Sequence, residues 1–280
     1  MEKTWRTTIG SKPKLWNVDF KEIWQYKSLV WMLFKRNYSL EYKQTILGPF
    51  WMIFNVVFNT GVFTLVFGYV GKMASDGVPY FLFCLSGTVV WNLFSSCFYG
   101  NTRVLMENSY LFGKVYFPRL IVPLSNLLFC IVRGLLQFMV CAAAWVYFFI
   151  RGEIAFTGLK LLGIIPIFLL SAIMGTAIGL ILSALTVKYR DFNHLTSVAM
   201  SALMYISPML YPTSQLPSIL KNVVYLNPMS SFIEDFRYCL TGTGGIYIPG
   251  TIYGVVFTIV VTILGLIMYG RAEKSFIDIV

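Results

Sequence analysis

One arginine sits where charge is least expected: residues 120–150 are uncharged and largely apolar apart from Arg133. An ionisable group inside a membrane-spanning stretch is costly and normally faces a partner or a water-filled path. Thirteen residues past Leu120, at about 1.5 Å each, set it roughly 20 Å along its helix. Two readings stand open. Arg133 can be a structural ion pair or snorkelling cation, with Glu107 or Glu153 as partner if the helix offsets permit. It can also touch a phosphate-bearing substrate.

The remaining reactive residues exclude more chemistry than they offer. Carboxylates are scattered, the only adjacent pair is Glu234 and Asp235, and no Asp-rich metal motif occurs. A membrane-embedded glycosyl- or phosphotransferase would need clustered acids or histidines. A proton-coupled carrier would need several carboxylates inside its spans. The single histidine, His194, cannot build a metal site or a proton relay alone. Five cysteines, an odd count without paired spacing, suggest neither a disulfide framework nor a metal site. Cys84, Cys97, Cys130 and Cys141 lie in apolar stretches and are expected as small core residues. No G-x-x-x-x-G-K-[ST] phosphate loop is present, so the chain cannot hold ATP in that manner.

The elements that position these residues follow from composition. The 280 residues are 57% hydrophobic and 12% charged, with mean hydropathy +0.71. Soluble domains carry about 25% charged residues, so this chain has too few to cover a watery surface. Aromatics reach 17%, and their amphipathic rings suit the headgroup zone. Net charge is +10, but the cations lie between long uncharged stretches, and no recognition motif for nucleic acid occurs.

A spanning helix needs about 20 mostly apolar residues. Uncharged runs cover 44–71, 77–102, 161–187, 195–220, 222–233 and 239–270, besides the stretch around Arg133. Pro208, Pro212, Pro217, Pro228 and Pro249, with the glycine-rich 241–245, break regular helix between the last two spans. Irregular backbone at membrane depth must be covered by protein or face water. Six spans are expected at about 49–70, 79–101, 120–149, 160–187, 194–211 and 249–270, with two short re-entrant helices between the fifth and sixth. With the N-terminus inside, sixteen Lys/Arg fall on the cytoplasmic side and five on the other. That bias predicts both termini in the cytoplasm. No signal-peptide pattern opens the sequence, which agrees. The expected organisation is a cytoplasmic N-terminal segment, 1–45, a transmembrane domain, 46–270, and a cytoplasmic tail, 271–280.

Residues 19–39 carry their own pattern. Phe20, Ile23, Trp24, Val30, Trp31, Phe34 and Tyr38 fall on one helical face, with lysines largely on the other. This predicts a helix lying in the membrane interface beside anionic headgroups.

Six short segments then occur in order with sensible spacing: YKQTILGPFW at 42–51, KVYFPR at 114–119, VKYRD at 187–191, SPMLYP at 207–212, LNPM at 226–229 and RAEKSF at 271–276. Together they resemble the permease subunits of ABC transporters that export O-antigen, capsule or teichoic-acid chains. The resemblance runs from about Tyr42 to Val280. It implies an all-helical fold with an interfacial N-terminal helix, six spans and short gate helices. It also implies a homodimer in the bacterial cytoplasmic membrane, driven by two ATP-binding cassette subunits that hold ATP and Mg. The substrate would be a lipid-linked glycan; export of a drug or small lipid is the alternative.

The resemblance assigns 107–116 to a coupling helix, with Glu107, Tyr110, Leu111, Phe112, Lys114 and Tyr116 toward the ATPase. Lys188, Tyr189, Arg190 and Asp191 form a second contact. Lys35, Arg36 and Lys43 can meet a lipid diphosphate, although positive-inside anchoring explains them equally well. Phe54, Asn55, Phe58, Asn59, Trp91, Asn92, Ser95, Tyr99 and Tyr205, with Arg133, are candidates for a sugar path. Rings there would stack on pyranose faces while Asn and Ser offer weak hydrogen bonds. Arg133 departs from the family pattern, in which an acidic residue is common near this place.

Overall fold

The computed structural model describes residues 20–43, 45–46, 48–108, 110, 117–186, 189 and 191–277. The elements are all helical, with no strand among the described residues. Two helices, α1 (Phe20–Gln25) and α2 (Lys27–Tyr42), precede the bundle. Helix α3 (Phe50–Phe63) continues as a π-wound stretch, Thr64–Val70. Then come α4 (Tyr80–Thr102), the single turn α5 (Val104–Glu107) and α6 (Ile121–Ile150). A 3₁₀ stretch, Gly158–Gly163, leads into α7 (Ile164–Thr186), followed by α8 (Phe192–Ile206). Two short helices, α9 (Ser218–Leu226) and α10 (Pro228–Thr241), precede the long α11 (Ile248–Ile277).

Among the described residues, five helical segments are long and apolar enough to cross a membrane: Phe50–Val70, Tyr80–Thr102, Ile121–Ile150, Gly158–Thr186 and Ile248–Ala272. Their polar side chains are largely spent on their own backbone. The hydroxyls of Thr88, Ser171 and Thr258 donate to the carbonyls of Cys84, Ile167 and Gly254 at 2.8, 2.8 and 2.7 Å. Such bonds to the preceding turn leave little polarity to bury elsewhere.

The core is built around α4, whose residues from Leu82 to Phe98 are mostly buried, and α7 packs between α4 and α11. Glycines permit the close approach. A Cβ added at Gly179 would stand 2.7 Å from the Phe98 carbonyl oxygen, and one at Gly175 would collide with that of Phe94. On the other face of α7, a Cβ at Gly265 of α11 would stand 2.7 Å from the Ala177 oxygen. Spacing of small residues at four lets helices touch backbone to backbone. All five cysteines are free and buried, Cys84, Cys97, Cys130 and Cys141 as expected of small core residues and Cys239 as well.

Two expectations need correction. The fifth apolar segment forms a helix only to Ile206, not to 211, because Ser207 turns extended before Pro208. A residue ahead of proline is pushed out of the helical region. The interfacial helix is broken at Tyr26 and runs on to Tyr42. Its apolar residues therefore divide. Leu33 is buried in a cluster with Val104, Ile121 and Tyr269, and Phe34 is buried with its ring 6.4 Å from that of Phe129 on α6. Trp24 and Trp31 are exposed, each with a lysine over its ring, Lys27 at 5.5 Å and Lys35 at 5.6 Å.

The chain between α8 and α11 is locally specified by the LNPM segment. Asn227 caps α10 by accepting from the Met229 amide at 3.1 Å, and Pro228 takes the first position, where no amide is needed. Gly242, at φ +74°, closes the helix in the left-handed conformation.

Candidate functional site

At the α2 end of the bundle a cavity of about 940 Å³ opens between α2, α4, α5 and α6. Its lining is polar for a protein of this composition. Arg36 on α2 reaches three partners: the Tyr110 hydroxyl at 3.4 Å, Asn108 Oδ1 at 3.3 Å and Asn37 Oδ1 at 3.3 Å. Asn37 in turn donates to Asn126 of α6 at 2.8 Å, and Asn126 to the Gly100 carbonyl of α4 at 2.7 Å. A continuous chain of hydrogen bonds thus ties α2 to α6 and α4.

Arg133 faces this cavity and is paired. Its Nη1 donates to Glu41 Oε1 of α2 at 3.1 Å, with both side chains about one third exposed, 34% and 37%. The partner is therefore neither Glu107 nor Glu153; Glu153 lies 3.9 Å from Arg151 instead. Beside the pair, burial and then Glu41 push the Tyr42 phenol up to about 12, so that hydroxyl keeps its proton.

The cavity gathers residues that sequence assigned to three separate roles: Arg36, Ser95, Tyr99, Glu107, Tyr110 and Arg133. Others stand elsewhere. Lys35 lies over Trp31, and Lys43 is exposed just past α2. Phe54, Asn55, Phe58 and Asn59 share an exposed face of α3, where the two phenylalanines stack at 5.6 Å. Tyr205 is 65% exposed on α8. Asn92 is half-buried, whereas Trp91 is 4% exposed, inside the core against Phe94. Tyr189 and Asp191 are exposed ahead of α8. Leu111, Phe112, Lys114, Tyr116, Lys188 and Arg190 lie outside the described residues.

A second polar cluster occupies the opposite end, and sequence reasoning did not find it. Arg237 of α10 is 5% exposed; its Nη2 donates to the Pro208 carbonyl at 2.8 Å, and its guanidinium lies 3.6 Å over the Phe83 ring. Burial lowers its pKa to about 10, with Glu234 and Asp76 opposing, so it stays charged at neutral pH. Glu234 accepts from the Tyr225 hydroxyl at 2.5 Å and from the Thr213 hydroxyl. Asp235, 2% exposed, accepts from Thr251 of α11 at 2.7 Å. The available signal was three charged residues within 234–237, in a proline-bounded segment between spans.

A bundle of apolar helices with polar clusters at both ends defines a multi-pass integral membrane protein. The family model for ABC-2 type transporters matches residues 28–241, and the chain belongs to that family. It is 24% identical over 254 residues to the O-antigen export system permease protein RfbA of Klebsiella pneumoniae, covering 90% of this chain and 94% of that protein. A Myxococcus xanthus protein of the same description is 26% identical over 220 residues, covering 78% and 82%. The polysialic acid transport protein KpsM of Escherichia coli is 23% identical over 260 residues, covering 89% and 95%.

Proposed function

We propose that two copies of this chain form the membrane channel of an ATP-driven exporter for a lipid-linked polysaccharide of O-antigen, capsule or teichoic-acid type. Two separate ATP-binding cassette subunits, holding ATP and Mg, attach from the cytoplasm. The α2 end then faces the cytoplasm, with both termini, and α9 and α10 form an outer gate; the membrane is the bacterial cytoplasmic membrane.

The observation that carries this reading is the α2-end cavity in a member of this family. It brings Arg36 and Arg133 to one polar recess, which an interfacial helix separates from the lipid surface. Guanidinium groups suit phosphate through paired, planar hydrogen bonds. Arg133 is partly neutralised by Glu41, which limits its pull on an anion to a weak hold that a moving substrate can leave. The exposed α3 face, with Phe54, Asn55, Phe58 and Asn59, and exposed Tyr205 on α8 supply rings and amides for a sliding sugar chain. Exposed apolar residues on the same two helices, such as Val62 and Val198, need lipid or a second copy to cover them.

Deleting the chain from its host and restoring it tests the function. Surface glycan should vanish and return, while its lipid-linked precursor accumulates inside. Co-purification with an ATPase encoded beside it, in a two-plus-two complex, tests the assembly. Unchanged surface glycan in the deletion strain would reject the reading.

A further inference from the structure

The end opposite α2 carries a cavity of about 320 Å³ that the transport reading leaves unused. Its walls come from five places in the chain: the turn before α4 (Asp76), the 213–214 turn, α9 (Lys221, Tyr225), α10 (Glu234, Arg237) and the 243–247 loop. This volume lies near the lower end of the roughly 300–1,000 Å³ of small-ligand clefts.

We infer that this cavity is a saccharide subsite that holds one neutral pyranose unit of the exported chain as it leaves; the inference rests on the polysaccharide reading. Tyr225 and Tyr247 meet with ring centroids 4.5 Å apart at 40°, giving an aromatic corner against which the C–H face of a pyranose can pack. Around that corner stand carboxylates with acceptor capacity left. Glu234 takes the hydroxyls of Tyr225 and Thr213, and Asp76 takes that of Ser214 at 2.7 Å. A carboxylate offers about four lone-pair sites, so sugar hydroxyls can still donate to both acids.

The charge balance selects the ligand class. Asp76 and Glu234 offset Lys221 and Arg237, so the lining neither draws a strongly anionic unit nor repels a neutral one. An apolar occupant would strip water from these groups without replacing their hydrogen bonds, which costs free energy. Asp76 is held at φ +51°, an uncommon conformation for a side-chain-bearing residue, and its turn is closed by Ser75 donating to the Val78 carbonyl at 2.5 Å. Across the mouth, a Cβ built on Gly244 or Gly245 would meet nothing within 4 Å, which leaves the loop side open. Because α9 and α10 both line the cavity, a bound unit touches both short helices at once.

The test uses the full permease–ATPase complex in cells that export their own glycan. Tyr247→p-benzoyl-phenylalanine places a photoreactive ring in the aromatic corner, and Ile252→p-benzoyl-phenylalanine, at an exposed apolar position of α11, is the control. Irradiation should attach glycan to the chain at position 247 and not at 252. Adding Glu234→Gln should lower that yield about tenfold, the size of one hydrogen bond to a charged group. Asp76→Asn, on an exposed turn, repeats the measurement should Glu234→Gln reduce the amount of folded protein. Surface glycan that depends on the chain, with no cross-link at 247 or equal cross-links at both positions, overturns the subsite and leaves the export reading standing. Surface glycan independent of the chain overturns both.

Discussion

Arg133 of α6 and Glu41 of α2 meet at 3.1 Å across 92 positions of sequence, joining an apolar helix to the amphipathic helix that flanks it. Each side chain is about one third exposed, 34% and 37%, so solvent screens the pair and its net worth is about 0–1 kcal/mol. Arg133→Glu and Glu41→Arg should therefore each lower the thermal midpoint of the purified complex only slightly, and the double swap should restore it. Export should behave otherwise. If the cation at 133 meets substrate phosphate, Arg133→Glu abolishes surface glycan and the swap fails to bring it back. Recovery of export by the swap would reduce Arg133 to a structural role.

The contact between α4 and α7 depends on the absence of side chains at Gly175 and Gly179. Overfilling a packed interior costs about 1–3 kcal/mol, and the obstacle here is backbone oxygen, which cannot move aside as a side-chain tip can. Gly175→Ala should lower the melting temperature clearly. Gly61→Ala, where an added Cβ meets nothing within 4 Å, should leave it unchanged. Equal effects at the two sites would argue against a close α4–α7 contact.

Much of this architecture was legible in the sequence because lipid leaves few options: a long uncharged run must be helical to satisfy its own backbone. The observed ends of the segment Tyr80–Thr102 lie one residue from the expected 79–101. Apolarity alone misjudged α8, since the run 195–220 continues past Pro208 without a charge. Pairing was harder. Nothing in the sequence points to Glu41 as the partner of Arg133, because its reach depends on how α2 docks, and docking depth leaves no mark in periodicity. Arg237 is one of the five basic residues on the non-cytoplasmic side in the charge count, and that count carries no sign that it is buried, bonded to the Pro208 carbonyl and against Phe83. Only the folding of the proline-broken segment over α4 reveals that.

Asp235 gives the protein a pH dependence. Burial, reinforced by Glu234 and opposed by Thr251, pushes its carboxyl up to about 6. A carboxyl whose pKa is raised on folding stabilises the fold fully below its unfolded value, and that contribution is lost as pH rises through the folded value. The purified complex should accordingly melt higher at pH 4.5 than at pH 7.5, values that bracket about 6. Asp235→Asn should flatten the profile, because the amide keeps the Thr251 contact without a charge to bury. A slope that survives this substitution assigns the dependence to another group.

Arg36 ties α2 to the start of the 107–116 segment, since it bonds Asn108 and Tyr110, which line the cavity with it. If that segment receives ATPase movement, Arg36 carries the movement to α2. Its fork allows several partners at once, whereas a lysine presents one compact charge. Arg36→Lys should therefore preserve attraction for an anionic lipid headgroup and lose the link, and Arg36→Ala should lose both. ATP turnover of the purified complex, with and without lipid-linked glycan, separates these roles. With Lys at position 36 glycan should still bind but no longer stimulate turnover, while with Ala binding should weaken about tenfold, as for loss of one charge-assisted hydrogen bond. Full stimulation in the lysine variant would mean that charge alone matters at this position and that coupling runs through another contact.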